Sequence, residues 1–449
     1  MRRREFSPAQ LLSLHIIGLI IVGAVLLSLP IAAAPGRLVA PLDALFTSTS
    51  AVCVTGLVVV DTPTRWSPFG LVVILLLIQA GGLGYMTISS LIMVAFGRRI
   101  SVHERLTLAD ALNVTSMEGL LRFAGTVALL TFAIEGLGAL IMGARFAMDV
   151  GWAKGLWLGL FHAVSAFNNA GFSLFSDNLM GYRGDVTINL VVTTLIIAGG
   201  LGFFVLSGLL HLRRRTAVGM SVHTKLVLTV SGSLIAAATL VILGLEWSNP
   251  NTLGPLGAGE KLLAAYFQAV TPRTAGFNTI SIGDMTSPAL FLTIGLMFIG
   301  ASPGGTGGGV KVTTFGVIMA AVWGTVRGRR DVTVFKRRLA PDLVNRAFAL
   351  SILAAIGLVL VTGLLLLTER QGLLHTSYEA ASAFGTVGLS MGVPGSPLSL
   401  SGFFGTGGKW LIIFLMFMGR VGPLTLAVAL AGAAAPPRVR YPEGKVLIG

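Results

Sequence analysis

The amino-acid sequence predicts an all-α membrane protein, with four pseudo-repeats of helix, pore segment and helix around one central pore. Three observations support this fold class. Charged residues make up only 11% of the 449 residues and apolar residues 54%, whereas a soluble domain has about 25% charged residues. The apolar residues also cluster in runs of bilayer length, and registered glycines recur in each quarter of the chain.

Eight apolar runs each have the length of a membrane span, about 20 residues. They are Leu11–Leu29, Pro68–Phe96, Gly119–Met142, Val186–Leu210, Val222–Leu245, Ala289–Trp323, Leu343–Leu367 and Trp410–Ala434. An even number of spans puts both termini on one side. With the termini in the cytoplasm, 21 Lys and Arg residues fall in the cytoplasmic tails and loops and nine in the opposite loops, as the positive-inside rule requires. The net charge of +14 therefore indicates topology and a lipid bilayer, not a nucleic-acid partner.

A shorter, semi-apolar segment lies between the two spans of each quarter and is too short to cross a bilayer. Each segment ends in a glycine that Leu or Phe follows, at Gly56, Gly171, Gly276 and Gly388. An aromatic residue stands ten positions before each glycine, and Ser50, Ser165, Val270 or Ser382 stands six before. This register predicts repeats over residues 1–100, 101–220, 221–335 and 336–449, with pore segments 41–57, 156–172, 260–277 and 373–389.

A second set of glycines lies in the later span of each quarter. Quarters one and two contain Ala-Gly-Gly-Leu-Gly at 80–84 and 198–202, and altered versions begin at Gly300 and Gly419. Small residues at matching depth let helices approach closely. In quarter three, residues 300–309 are so rich in glycine that we predict a break in the inner helix 289–323.

We interpret residues 300–309 as a mobile gate, and the alternative is a static helix break that only permits close packing. The predicted gate residues are Gly300, Gly304, Gly305, Gly307, Gly308, Gly309, Lys311 and Arg420. Arg420 stands where the other quarters have Gly82, Gly200 and Ala301, so we expect it to project into the cavity below the pore segments. There it is either a plug that holds the gate closed or a buried structural cation.

The pore segments have the properties of a cation filter. Non-helical backbone at membrane depth is tolerated only where it is buried in protein or lines a water-filled cavity. Glycine adopts backbone angles that other residues avoid, so backbone carbonyls can turn to one side and replace the hydration shell of an ion. The predicted filter residues are Val54, Thr55, Gly56, Asn169, Ala170, Gly171, Thr274, Ala275, Gly276, Thr386, Val387 and Gly388.

These features resemble the Trk/Ktr/HKT potassium-transporter superfamily over essentially the full chain. The resemblance rests on the four glycine motifs, on the stretch Thr271-Pro272-Arg273-Thr274-Ala275-Gly276-Phe277 and on the break in the sixth span. Eight spans that begin near residue 10 are most similar to the membrane subunits of Ktr systems (KtrB). The resemblance implies sodium-stimulated uptake of K+ across the bacterial inner membrane, with Na+ as a second candidate ion and no organic cofactor. It also implies a homodimer regulated by a cytosolic nucleotide-binding ring (KtrA-like).

Several charged or polar residues near the filter have alternative interpretations. We expect Arg273 to point behind its pore segment and to pair with an acid or with carbonyls. Lys311 either faces the cavity or binds carbonyls of the loop. Glu135 is costly within a span unless it is paired, so we predict a buried structural role, with a helix-end arginine as its partner. Asn168 and Asn169 lie at the edge of the filter, where we expect the backbone of Asn169 to matter more than its side chain.

Acidic residues follow three of the four filter segments, at Asp61, Asp177 and Asp284. They either concentrate cations at the outer mouth or are ordinary surface charges. On the cytoplasmic side, residues 213–215 and 327–338 form basic clusters that serve topology first and a cytosolic partner second.

Two other classes of function fit the sequence less well. An alternating-access secondary cation carrier commonly has inverted repeats and broken helices, but the four quarters here run in parallel order, which favours one axial pore. An intramembrane enzyme needs a nucleophile–base pair or metal ligands within the spans. The six His residues lack metal-binding spacing, and the two that fall within spans, His15 and His223, lie near the start of theirs.

Overall fold

The computed structural model describes residues 8–95, 120–213, 220–329 and 331–431. The helices in these ranges are α1 (Pro8–Ser28), α2 (Pro41–Val52), α3 (Thr62–Arg65), α4 (Pro68–Ala95), α5 (Leu120–Val150), α6 (Trp152–Phe167), α7 (Val186–Leu201), α8 (Phe203–Arg213), α9 (Val222–Glu246), α10 (Ala258–Val270), α11 (Ser287–Phe298), α12 (Val312–Val326), α13 (Pro341–Glu369), α14 (Leu373–Gly385), α15 (Thr406–Val421) and α16 (Pro423–Ala431). Two short antiparallel strands, β1 (Thr333–Val334) and β2 (Arg337–Arg338), form a hairpin after α12. The basic residues at 2–4, 98–105, 214–215, 330 and 438–445, for which the sequence predicts a cytoplasmic position, lie outside the described residues.

The first helix of each predicted repeat is long, continuous and apolar. Among the described residues, four helices can cross a membrane by their length and composition, within Gln10–Ser28, Gly125–Val150, Val222–Glu246 and Pro341–Glu369. Only 17% of the most apolar window of α13 is buried inside the protein. Exposed apolar surface of this extent fits contact with lipid, where it has no cost.

The later helix of each quarter is interrupted. Gly84 has φ 71° and ψ 151° inside α4, Gly202 has φ 88° and ψ 146° between α7 and α8, and Gly422 has φ 91° and ψ 136° between α15 and α16. Only glycine enters this region readily. At Gly202 the chain turns by 103°. The sequence singled out a break in quarter three alone, and the structure shows an equivalent break in the other three quarters.

The break predicted in quarter three is present between α11 and α12. We call residues Gly300–Gly309 the Gly loop. Its two ends meet, because Ile299 and Val310 form a parallel β-bridge and the Gly300 N–H donates to the Val310 carbonyl at 2.8 Å. The loop therefore leaves the helix axis and returns to it within one short excursion.

The predicted pore segments contain the helices α2, α6, α10 and α14, which we call the pore helices, and each ends just before its glycine motif. The carboxyl ends of α2, α6 and α14 pack against glycines of the later helices. A Cβ added to Gly81 would lie 2.8 Å from the carbonyl carbon of Val52, and one added to Gly419 would lie 2.8 Å from that of Phe384. At Gly199 the corresponding distance, to Phe167, is 2.9 Å. Real Cβ atoms do not come this close, so these positions require glycine.

Candidate ion pathway

The four predicted filter segments share one unusual backbone conformation. In each segment, the glycine and the residue two positions before it have positive φ. The values are 56° and 92° for Val54 and Gly56, 60° and 71° for Asn169 and Gly171, 74° and 75° for Thr274 and Gly276, and 51° and 91° for Thr386 and Gly388. Successive carbonyls alternate in direction along an ordinary strand, and a left-handed residue at every second position turns them toward one side. Left-handed non-glycine residues cost about 1–3 kcal/mol each and cluster at functional sites.

The four filter glycines meet one another in chain order. A Cβ added to Gly56 would lie 3.1 Å from the Cα of Gly171, and one added to Gly171 would lie 2.9 Å from that of Gly276. A Cβ on Gly276 would lie 3.2 Å from the Cα of Gly388, and one on Gly388 would lie 3.0 Å from that of Gly56. The four glycines therefore form a closed ring of contacts, and the predicted filter residues that precede each glycine are also buried. The structure thus brings all twelve predicted filter residues together.

Hydroxyl groups at the ends of the pore helices hold this backbone from behind. The Gly56 N–H donates to Ser50 Oγ and the Gly388 N–H donates to Ser382 Oγ, both at 3.0 Å. In the other two quarters the hydroxyl is the donor, from Ser165 to the Phe172 carbonyl at 2.8 Å and from Thr271 to the Phe277 carbonyl at 2.5 Å. The serine register was visible in the sequence, but its role was not.

A vestibule of about 590 Å³ opens on one side of the filter glycines, and all four glycines line it. Asp61, Asp177 and Asp284 also line it, so the three carboxylates predicted at the outer mouth share one cavity. Asp61 is held by the hydroxyls of Thr64 at 2.7 Å and Ser176 at 3.0 Å. Carboxylates around one concave space raise the local concentration of cations.

The Gly loop covers the opposite side of the filter. The Gly308 N–H donates to Thr386 Oγ1 at 3.0 Å, and a Cβ on Gly307 would lie 2.8 Å from the Cβ of Thr274. In quarters three and four, the threonine two positions before the filter glycine therefore rests directly on the loop. Side chains larger than hydrogen do not fit between them.

Backbone hydrogen bonds tie the Gly loop to the later helices of two other quarters. The Ser302 N–H donates to the Gly200 carbonyl at 2.9 Å, and the Phe203 N–H donates to the Gly304 carbonyl at 3.0 Å. On the far side, the Gly309 N–H donates to the Gly419 carbonyl at 3.2 Å. These bonds span the space beneath the filter.

Both predicted gate cations bind carbonyl oxygens of the Gly loop. Arg420 donates through Nη1 to the Thr306 carbonyl and through Nη2 to the Gly81 carbonyl. Lys311 Nζ donates to the Gly307 carbonyl at 2.6 Å. Among the described residues, no carboxylate lies within salt-bridge distance of Lys311 or Arg420. The two positive charges are thus held at the loop by carbonyl dipoles.

The remaining predicted residues lie behind the filter. Arg273 donates to the Ser231 carbonyl at 3.2 Å and to its hydroxyl at 3.0 Å, so its partners are a carbonyl and a hydroxyl rather than an acid. Glu135 is buried, as expected, but the arginine partner predicted for it is wrong, because its Oε1 accepts from Asn168 Nδ2 at 2.8 Å. Asn169 places its amide 3.1 Å from the Thr274 hydroxyl, which joins two filter segments.

Sequence reasoning missed Thr306. Its carbonyl accepts from Arg420, and its hydroxyl donates to the Phe167 carbonyl at 3.1 Å, at the end of α6. The available signal was chemical, because Thr306 is the one residue of the run Gly304–Gly309 that is not glycine.

The long apolar helices, the broken later helices and the buried glycine segments define an integral membrane protein. Comparison with known proteins agrees. The family model "TrkH: Cation transport protein" matches residues 21–435. The chain is 45% identical to "Ktr system potassium uptake protein B" of Bacillus subtilis, over 99% of this chain and 97% of that protein. It is 37% identical to "Potassium/sodium uptake protein NtpJ" of Enterococcus hirae, over 100% and 98%.

The fold is shared with a solved structure. The crystal structure of the potassium transporter TrkH from Vibrio parahaemolyticus superposes with a TM-score of 0.74 at 20% sequence identity, over 96% of this chain and 86% of that one. The chain belongs to the TrkH family of cation transport proteins, and the expected resemblance to the Trk and Ktr proteins is confirmed.

Proposed function

We propose that this protein takes up potassium ions through one central pore whose filter is formed by the four glycine segments. The observation that carries the proposal is the alternation of left-handed residues in four segments that meet in a closed order. Rings of backbone carbonyls are the coordination that replaces the hydration shell of K+. The four repeats, with the boundaries given above, then supply one segment each.

The names of the relatives support potassium as the cargo. The Bacillus relative is named for potassium uptake, and the Enterococcus relative for uptake of potassium or sodium. Gly56 in the first filter segment matches the potassium-selective members that the sequence resembles. Sodium stimulation is part of the proposal and rests on the same resemblance.

The Gly loop is the proposed gate. It lies across the space beneath the filter, and its carbonyl oxygens bind Lys311 and Arg420. Potassium that passes this point meets two unneutralised positive charges in a low-dielectric region, where charge repulsion is strong. Opening therefore requires that the loop and the Arg420 side chain move away from the axis.

A cytosolic regulator is the proposed controller of this gate. The β1–β2 hairpin follows α12, which begins three residues after the Gly loop. The hairpin side chains Lys336, Arg337 and Arg338 are exposed. Movement of the hairpin would act on α12 and so on the loop. We propose that a nucleotide-binding ring of the KtrA type docks there on a homodimer of this chain, in the bacterial inner membrane with both termini cytoplasmic.

Reconstituted vesicles test the proposal. Purified protein should carry K+ down its gradient, faster than Na+, and addition of the regulatory ring should change the rate. An alternating-access carrier would instead show saturation and inhibition from the opposite side at matched voltage. Vesicles that carry neither ion under either gradient would refute the proposed function.

A further inference from the structure

Two pore helices carry a polar residue that reaches past the filter and holds the segment beyond it. The position is nine residues before the filter glycine, and it is occupied by His162 in quarter two and Glu379 in quarter four. Each binds the serine two residues after the glycine, Ser173 or Ser390. The same geometry at the same register in two repeats indicates a shared function.

The His162 imidazole is fully buried, and fixed partners determine its tautomer. Nδ1 lies 2.8 Å from the Leu158 carbonyl, which can only accept, so Nδ1 carries the proton. Nε2 then accepts from the Leu174 N–H at 3.3 Å and lies 3.0 Å from Ser173 Oγ. The ring also stacks on Phe175 with centroids 5.0 Å apart. Quarter two therefore needs a hydrogen-bond acceptor at this point, inside an aromatic pocket.

Glu379 is fully buried as well, and both of its oxygens accept hydrogen bonds. Oε2 accepts from Ser390 Oγ at 2.6 Å and Oε1 from the Ser401 N–H at 2.8 Å. Ser390 Oγ in turn accepts from the N–H groups of Gly392 at 3.1 Å and Leu400 at 2.8 Å. One carboxylate thus fixes both ends of the loop 390–401.

The loops fixed in this way hold the other two quarters. Val58, two residues after Gly56, exchanges hydrogen bonds with Ser399, from its N–H to Ser399 Oγ and from the Ser399 N–H to its carbonyl, both at 2.9 Å. Asn278, two residues after Gly276, accepts through its carbonyl from the Leu179 N–H at 3.1 Å. Quarter four therefore supports quarter one, and quarter two supports quarter three.

The equivalent residues of quarters one and three make no such contact. Thr47 donates its hydroxyl to the Asp43 carbonyl of its own helix at 2.8 Å, and Phe267 is apolar. At this register, therefore, two of the four quarters carry a side chain that binds the segment beyond its own filter glycine.

We propose that His162 and Glu379 are positioning residues that set the ion specificity of the filter, an inference that rests on the proposed function. They fix the backbone that follows all four filter glycines, directly in quarters two and four and through the neighbouring loops in quarters one and three. Discrimination between K+ and Na+ depends on where the filter carbonyls are held. Loss of either brace lets the outer carbonyls move inward to suit the smaller ion.

The test compares variants in reconstituted vesicles by the ratio of K+ to Na+ uptake and by the maximum K+ rate. His162→Leu removes the acceptor, and Glu379→Gln replaces one of the two accepting oxygens by an NH2 group, which faces a donor. We expect each to lower the uptake ratio about tenfold, equivalent to about 1.4 kcal/mol, with a smaller change in the maximum K+ rate. His162→Gln, which keeps an acceptor near the Nε2 position, should restore most of the ratio.

Thr47→Val is the matched control, because it alters the same register in a quarter without the brace, and it should leave the ratio as in the parent. All variants are compared only when they elute like the parent in size-exclusion chromatography, and Ser173→Ala and Ser390→Ala replace any that does not fold. An unchanged ratio in the folded brace variants, an equal loss in Thr47→Val, or no rescue by His162→Gln would each overturn the inference. Failure of the parent itself to conduct would overturn the proposed function instead.

Discussion

Arg420 offers the sharpest test of the gate. The change Arg420→Ala removes two hydrogen bonds from a charged guanidinium, to the carbonyls of Thr306 and Gly81. Hydrogen bonds to charged groups contribute about 1.5–3 kcal/mol each, so two bonds at the low end stabilise the closed loop by about 3 kcal/mol. Because 1.4 kcal/mol is a factor of ten, the closed-to-open ratio should fall about a hundredfold.

The assay is K+ flux into vesicles at a fixed potential, without a regulatory subunit, normalised to the amount of folded protein. Arg420→Lys is the informative companion. It keeps the positive charge but loses the planar guanidinium that reaches two carbonyls at once. We expect a rise of about tenfold for Lys, the equivalent of one lost bond of about 1.4 kcal/mol, and a larger rise for Ala.

The order of the three proteins carries the conclusion. If folded Arg420→Ala conducts no faster than the parent, Arg420 does not hold the gate. If Ala and Lys rise equally, the bonds matter and the charge does not. A decrease in both would indicate that Arg420 is a structural cation whose loss disturbs the pore.

Three further predictions concern the filter, the loop and the regulator. Gly56→Ser should lower the preference for K+ over Na+ about tenfold, because the added Cβ meets the Ala170 carbonyl and the Cα of Gly171. The control Gly36→Ser, also at positive φ but with open space around it, should keep the parental preference, and an equal preference in both variants would show that Gly56 is not part of the filter. Deletion of part of Gly304–Gly309 should raise basal flux and abolish the response to a regulatory ring, whereas a folded deletion with parental flux and response would leave the loop as a simple helix break. Neutralisation of four arginines should weaken the binding of the regulatory ring and make that binding less dependent on salt, as measured by co-elution at two salt concentrations; the four are Arg327, Arg329, Arg337 and Arg338. The control Arg183→Gln, on the opposite side of the membrane, should leave binding unchanged, and undiminished binding after neutralisation would place the docking surface elsewhere.

Much of the architecture could be predicted from the sequence because repetition multiplies a weak signal. A single glycine before Leu says little, but Gly56, Gly171, Gly276 and Gly388 share neighbours at fixed distances. The break at residues 300–309 could also be predicted, because glycine and proline both destabilise a helix interior and seven of these ten residues are Gly or Pro.

Other features could not be predicted because glycine is ambiguous within an apolar run. Gly84, Gly202 and Gly422 have the same composition around them as packing glycines, and only the backbone angles distinguish a break from a close contact. The partner of Glu135 was also hidden, since Asn168 lies 33 residues away in the chain and its side chain could face either the pore or the protein. The positive φ of Val54 and Thr386 runs against the preference of β-branched residues, so no local rule would predict it.

Arg420 illustrates what a single chain with four unequal quarters makes possible. In an assembly of four identical subunits, one arginine codon at this register would bring four guanidinium groups to the axis, and their mutual repulsion would forbid a compact closed state. Here Gly82, Gly200 and Ala301 fill the equivalent positions, so a single guanidinium lies at this register, and it binds the Thr306 carbonyl of the Gly loop without facing three copies of itself. Four unequal quarters in one chain thus permit an asymmetric contact between Arg420 and the Gly loop inside a nearly symmetric ring. Either partner of this contact can change in evolution without the change being repeated in all four quarters.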